Sequence, residues 1–234
     1  MQADSTLNFI AQVHHAYVGL MNCAPASEEP SLGGQFLYVG ELNEPGCALA
    51  VACNIARGST LAASAQPVVL RQALREGIID FLVNSLDEAL RILKNEIRKH
   101  EPVAVAVSLA PEAIEAEMID RGVLPDLLPP GFGKPAPSST LALFLSQGAR
   151  EVPRPSDEAG KLLIWEAPAE YVQNLAGFES ILADHLAGSD QLNRRWLRLS
   201  PRYLGPAARR LRSVGCDSDT AGALIELLGP PLNG

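Results

Sequence analysis

Between an apolar run at 36–42 and the stretch Cys-Ala-Leu-Ala-Val-Ala-Cys-Asn-Ile-Ala lies the turn Asn43-Glu44-Pro45-Gly46. Such a strand-to-helix turn binds phosphate when glycines let the backbone come close and present N–H donors at a helix N-terminus. Here Pro45 removes one donor, and Glu44 sets a carboxylate where phosphate charge would lie. Gly46 alone has the residue type of a phosphate cradle. Glu41, Gln66, Asn84, Ser85 and Ser108 also follow apolar runs. With Asn43, Glu44 and Gly46 they make up the candidate ligand pocket, because open parallel sheets bind ligands at the carboxyl ends of their strands.

Other reactive side chains are sparse. His14 and His15 are adjacent on a helical pattern and point about 100° apart, so they cannot share a metal. His100 falls at a helix end and His185 on an amphipathic stretch; both read as structural. The four cysteines, Cys23, Cys47, Cys53 and Cys216, form no CxxC pair and have no histidine at ligand spacing. They read as reduced thiols, those of Cys47 and Cys53 on an apolar helix. No metal site, triad or carboxylate pair is expected, and the catalytic residues are unknown. Gly131-Phe132-Gly133-Lys134 has the permissive backbone and charge of an anion loop, although a plain connector is the simpler reading. Arg194, Arg195, Arg198, Arg202, Arg209, Arg210 and Arg212 cluster in an acidic chain and read as a solvated helix face.

These residues must be positioned by regular elements. The patterning predicts strands over 36–42, 60–64, 79–83, 103–108 and 126–128. Pro45, Pro67 and Pro111 open the intervening helices and Gly58, Gly77 and Gly122 close three of them, the asymmetry of helix ends. The helix after Pro45 is apolar all round, so it should be buried on every side. Ser85-Leu86-Asp87-Glu88 is a capping box. Alternation with short links predicts an α/β fold: a doubly wound, parallel, Rossmann-like sheet with right-handed crossovers. An N-terminal helix precedes it. After a Pro/Gly/Ser loop at 129–139, further strands are expected over 140–146 and 161–167, and everything from Pro168 onward is expected to be helical. The organisation read from this is a helix and linker over 1–33, a Rossmann-like domain over 34–167, and a helical extension over 168–234.

The chain of 234 residues, 47% hydrophobic and 20% charged, has the composition of a globular protein. A formal net charge of −8 repels nucleic acid and anionic membranes. No apolar run approaches the ~18 residues of a membrane span. The first twenty residues lack the basic start and unbroken apolar core of a signal peptide. A cytoplasmic location is expected.

The segment 34–128 resembles the central Rossmann-like domain of urocanase (urocanate hydratase). The resemblance rests on Gly34-Gln35 before the Tyr-Val-Gly strand, the Leu-Ala-Val helix, and Leu74-Arg75-Glu76-Gly77. It continues in Asp-Phe-Leu-Val-Asn-Ser-Leu-Asp-Glu-Ala-Leu, the Val-Ala-Val-Ala-Val-Ser strand and Arg-Gly-Val-Leu-Pro-Asp-Leu-Leu. Urocanases bind NAD tightly and use the nicotinamide as an electrophile in hydrating urocanate. The resemblance implies three cofactor features: a glycine run at the turn, an acid after the second strand, and a Thr-Ser-Ala-His-Asp loop after the last. The chain has Asn43-Glu44-Pro45 at the first, Ala63-Ser64-Ala65-Gln66 at the second and Pro129-Pro130-Gly131-Phe132-Gly133 at the third.

The function expected is that of a stand-alone, urocanase-related, non-catalytic protein with a degenerate NAD site. It would bind a small molecule or a protein partner, a second copy included, in a setting of histidine catabolism. No cofactor, nucleic acid or membrane is expected as a partner. The alternative is an enzyme, a hydro-lyase resembling urocanate hydratase that keeps NAD in a remodelled pocket.

Overall fold

The computed structural model describes residues 2–131, 139–155 and 161–233. Phe132, Gly133 and Lys134 of the glycine-containing loop lie outside them. A 20-residue helix, α1 (Gln2–Met21), leads into β1 (Phe36–Glu41), α2 (Glu44–Ile55), β2 (Ser59–Ala63), α3 (Pro67–Glu76), β3 (Phe81–Val83), α4 (Leu86–Lys99), β4 (Val103–Val107), α5 (Pro111–Asp120) and β5 (Leu127–Leu128). Then come α6 (Ser139–Ser146), β6 (Arg150–Glu151), β7 (Lys161–Glu166), α7 (Leu175–Asp184), α8 (Gln191–Tyr203), β8 (Leu211–Cys216) and α9 (Ser218–Leu228).

The first six strands form one sheet in the order β3-β4-β2-β1-β5-β6, every pairing parallel. Side chains alternate across a sheet, and in β4 the alternation puts valines on one face and alanines on the other. Phe36, Tyr38, Leu61, Val103, Val105 and Val107 face the layer of α4, α5 and α6. Leu37, Val39, Ala62, Ala104 and Ala106 face α2. The alanines on that face let α2 settle close to the sheet. α2 is itself covered by α1 and α8, which is why its buried residues run from Ala48 to Ile55 without a break.

The capping box forms with one change from its usual geometry. Ser85 Oγ accepts from Glu88 N–H at 3.3 Å, while the Glu88 carboxylate accepts from Asn84 N–H at 3.0 Å, one residue before the cap. Helix α4 ends at His100 in the left-handed region, φ 58°.

Two expectations beyond β5 are corrected. The stretch 140–146 is not a strand but most of α6, with Phe144 fully buried against Tyr38 and Leu143 exposed. A short apolar run fits either element; its place as the crossover from β5 to the parallel β6 decides for the helix. The stretch 205–215 is likewise not a helix throughout. A 3-10 turn at Pro206–Ala208 gives way to β8, which pairs antiparallel with β7 in a separate two-stranded sheet. Three helices, α7 to α9, pack with that hairpin-like pair, so the C-terminal region is helical apart from β7 and β8.

Candidate functional site

In this strand order the chain leaves β1 toward β2 and returns on its other side at β5. The crevice between the carboxyl ends of β1 and β5 is the switch point where doubly wound sheets bind ligands. Near that end β1 carries a bulge at Gly40, whose φ of +79° only glycine adopts easily. Asn43 then caps α2: its Oδ1 accepts from Gly46 N–H at 3.0 Å, and its carbonyl accepts from Cys47 N–H at 2.8 Å. Gly46 is required by packing. A Cβ there would sit 2.3 Å from the Glu41 carbonyl oxygen and 3.1 Å from Val39. The helix thus presses its first turn onto β1, bringing Glu41, Asn43 and Gly46 together.

Glu44, exposed at this turn, accepts a hydrogen bond from Gln12 of α1 at 3.0 Å. Around this contact opens a cavity of about 600 Å³, bounded by α1, the start of α2, the residues after β5 and the residues after β6. Its walls are largely apolar, with Ala16, Leu49, Pro45 and Pro130 among them; Gln12, His15 and Arg154 supply polar groups. Gly19 makes the close approach possible, since a Cβ would meet the Pro153 carbonyl oxygen at 2.6 Å.

None of the eight sequence candidates is among the residues lining this cavity: Glu41, Asn43, Glu44 and Gly46 flank it beside Pro45, and the others sit at neighbouring strand ends. Gln66 N–H donates to Ser64 Oγ at 3.2 Å at the start of α3. Ser85 caps α4, and Ser108 N–H donates to the Val83 carbonyl at 2.9 Å, which sets Ser108 beside the end of β3. Gln12, His15 and the 152–155 segment were missed because α1 and the region after β5 carry none of the strand–helix alternation. The prolines at 129, 130, 153 and 155 were the signal available.

On the opposite face, Tyr38 hydroxyl lies 3.2 Å from the carboxylate of buried Glu115 and 3.3 Å from the Pro111 carbonyl. Burial pushes the Glu115 carboxyl up, the Tyr38 hydrogen bond opposes this, and Glu112 adds to it. The cysteines are free, and burial raises the thiols of Cys47 to about 11 and Cys53 to about 12. Neither is a nucleophile at neutral pH. Among the described residues no cluster of three or more His, Cys, Asp or Glu is placed to hold a metal ion, and no helix is long and apolar enough to cross a membrane.

A doubly wound parallel sheet with a crevice at its switch point places this protein in the Rossmann-like class. Within that class, the family model of the urocanase Rossmann-like domain matches residues 12–130, just over half of the chain, and the chain belongs to that family. The match covers the 34–128 segment and reaches back into α1, the helix that forms one wall of the crevice.

Proposed function

We propose that the protein is a binding member of the urocanase family that does not carry out NAD-assisted hydration, and that its ligand occupies the switch-point crevice. The observation that carries this reading is the N-terminus of α2. Pro45 has no N–H, Gly46 N–H is taken by Asn43, and the Glu44 carboxylate stands beside them. A dinucleotide pyrophosphate needs those donors free and that space uncharged. At the ribose end, the residues after β2 are Ser64, Ala65 and Gln66, with no acid. The residues present do not fit NAD, so no hydration step is assigned to them.

The crevice suits a small, largely apolar or aromatic molecule with one polar end, and its volume lies within the ordinary range of ligand pockets. Gln12, His15 and Arg154 stand where such an end would be read. Family membership makes histidine-derived imidazole acids the first ligands to try. A protein partner, a second copy included, is the other occupant.

Calorimetric titration with NAD should give a dissociation constant no better than about a millimolar; a micromolar constant overturns the cofactor reading. Urocanate absorbance should hold steady with protein and added NAD. Turnover of about 1 per second, modest for an enzyme, overturns the non-catalytic reading. Among imidazole acids tested by thermal shift, at least one should raise Tm in the wild type but not in Ala16→Phe, which fills the crevice. If none raises it, the link to histidine catabolism is lost.

A further inference from the structure

A second cavity, of about 580 Å³, lies between α7 and α8. Arg194, Arg195 and Arg198 line it from α8, Glu179 and Ser180 from α7, and Glu29 from the segment after α1. The solvated face expected of these arginines is found only in part. Arg194 donates to three main-chain oxygens at and beyond the end of α7: Ala187 from Nε at 3.0 Å, and Ala183 and Leu186 from Nη2 at 3.0 and 2.7 Å. Those acceptors fix the side chain and leave its full charge in place.

Arg195 is only 6% exposed, and neither its Nε nor its Nη1 has a hydrogen-bond partner. Among the described residues no carboxylate pairs with it. Glu179, which faces the same cavity, is held by Arg212 Nε at 2.7 Å. Glu29 is near enough to influence the Arg195 charge but makes no ion pair with it. Arg57, the other cation nearby, is committed to Glu101 at 3.0 Å. Arg198 is exposed and has no carboxylate partner among the described residues.

A buried guanidinium without a counter-charge destabilises a fold. Several cationic side chains around one cavity, in a chain of net charge −8, are explained if the counter-charge arrives with a ligand. We propose that this groove binds the phosphoryl group of a small phosphorylated molecule, with Arg195 as the buried anchor and Arg198 as its exposed second contact. Clustered guanidinium charges match a dianion better than a monocarboxylate, and arginine's planar fork suits phosphate oxygens. The cavity is larger than one phosphate, and Ser180 and Gln191 give the remainder of the ligand neutral hydrogen-bonding groups.

The test is calorimetric titration of the full chain at low ionic strength with inorganic pyrophosphate, inorganic phosphate and, as the monoanion control, acetate. Both phosphates should bind with dissociation constants well below about a millimolar, and acetate should not. Arg195→Met should weaken binding by about tenfold or more and raise the Tm of the free protein, because the uncompensated charge is gone. Arg198→Gln should weaken binding by a smaller factor and leave Tm in place. Glu29→Gln should tighten binding. Absence of phosphate binding by the wild type overturns the proposal whatever the melting temperatures do. So does equal binding by wild type and Arg195→Met, or acetate binding as well as phosphate. A Glu29→Gln variant that loses stability with unchanged phosphate affinity also overturns it, since Glu29 would then be the counter-ion of Arg195.

Discussion

At Gly46 the conflict between a nucleotide cradle and a packed turn comes down to one hydrogen atom. The site where a Cβ would lie is 2.3 Å from a backbone oxygen, which cannot rotate away as a side chain could. Gly46→Ala should therefore cost about 3 kcal/mol, the upper part of the usual overpacking range, with the urea midpoint lowered and the m-value unchanged. A neutral substitution would mean that α2 lifts off β1 at little cost. Residue types alone give this turn away: Pro45 and Glu44 are visible as misfits in a phosphate loop. The cap made by Asn43 is equally implicit in its place before a helix. Arg195 was not legible, because nothing in an Arg-Arg-Trp-Leu-Arg string says which cation turns inward. Arg212 was no easier to read: its partner Glu179 lies 33 positions earlier and meets it only after β8 and α7 have packed.

Among elements, five of the six strands of the parallel sheet were written in the alternation of apolar runs with Pro-opened, Gly-closed helices, and these agree with the observed ones to within two residues at either end, whereas the two-residue β6 was not foreseen. The elements misread were those whose identity depends on a distant neighbour. The strand β8 is buried from Arg212 to Cys216 because α8 covers one side and α7 with α9 the other, so it shows no alternation. Helix α8 meets α1 through Trp196, whose indole N–H donates to both the carbonyl and the hydroxyl of Ser213, at 3.1 and 3.0 Å. His14 stacks edge-on against that indole at 4.8 Å and lies over Gly215, where a Cβ would be 2.8 Å from its Nε2. Burial lowers the His14 pKa to about 4, Asn193 opposes the shift, and the His15 charge adds to it. The folded state therefore favours neutral imidazole. Stability from this source is complete above the ordinary value of 6.5 and is lost as pH falls toward 4. His14→Phe keeps the ring contact and removes the proton site. The unfolding free energy from urea titrations should decline less for this variant than for wild type between those pH values, by on the order of 3 kcal/mol. Parallel declines would assign the acid sensitivity elsewhere.

Taken as a molecule, the chain has no clean break between the parallel sheet and its C-terminal elements. One hydrophobic cluster holds Leu37 and Val39 of β1, most of α2, Ile164 of β7, Trp196 of α8 and Ala208. Urea unfolding should accordingly be a single transition in which tryptophan fluorescence and far-ultraviolet circular dichroism coincide. Trp196→Ala should lower both midpoints together and reduce the unfolding free energy by about 3–5 kcal/mol; separated midpoints would show that the C-terminal elements melt alone. The compositional reading anticipated a fold of this size but not its joint, since the contacts that make the joint span most of the sequence. Tyr17 illustrates the distance: its hydroxyl donates to the Leu192 carbonyl, 175 positions later, at 2.9 Å. On a ribosome that interval takes roughly ten to thirty seconds at ordinary elongation rates. α2 follows α1 closely and packs against it, so only the side of α1 that meets α8 waits that long for its cover. A nascent chain halted before α8 emerges would leave the tunnel with His14 and Tyr17 lacking the Trp196 ring that covers them.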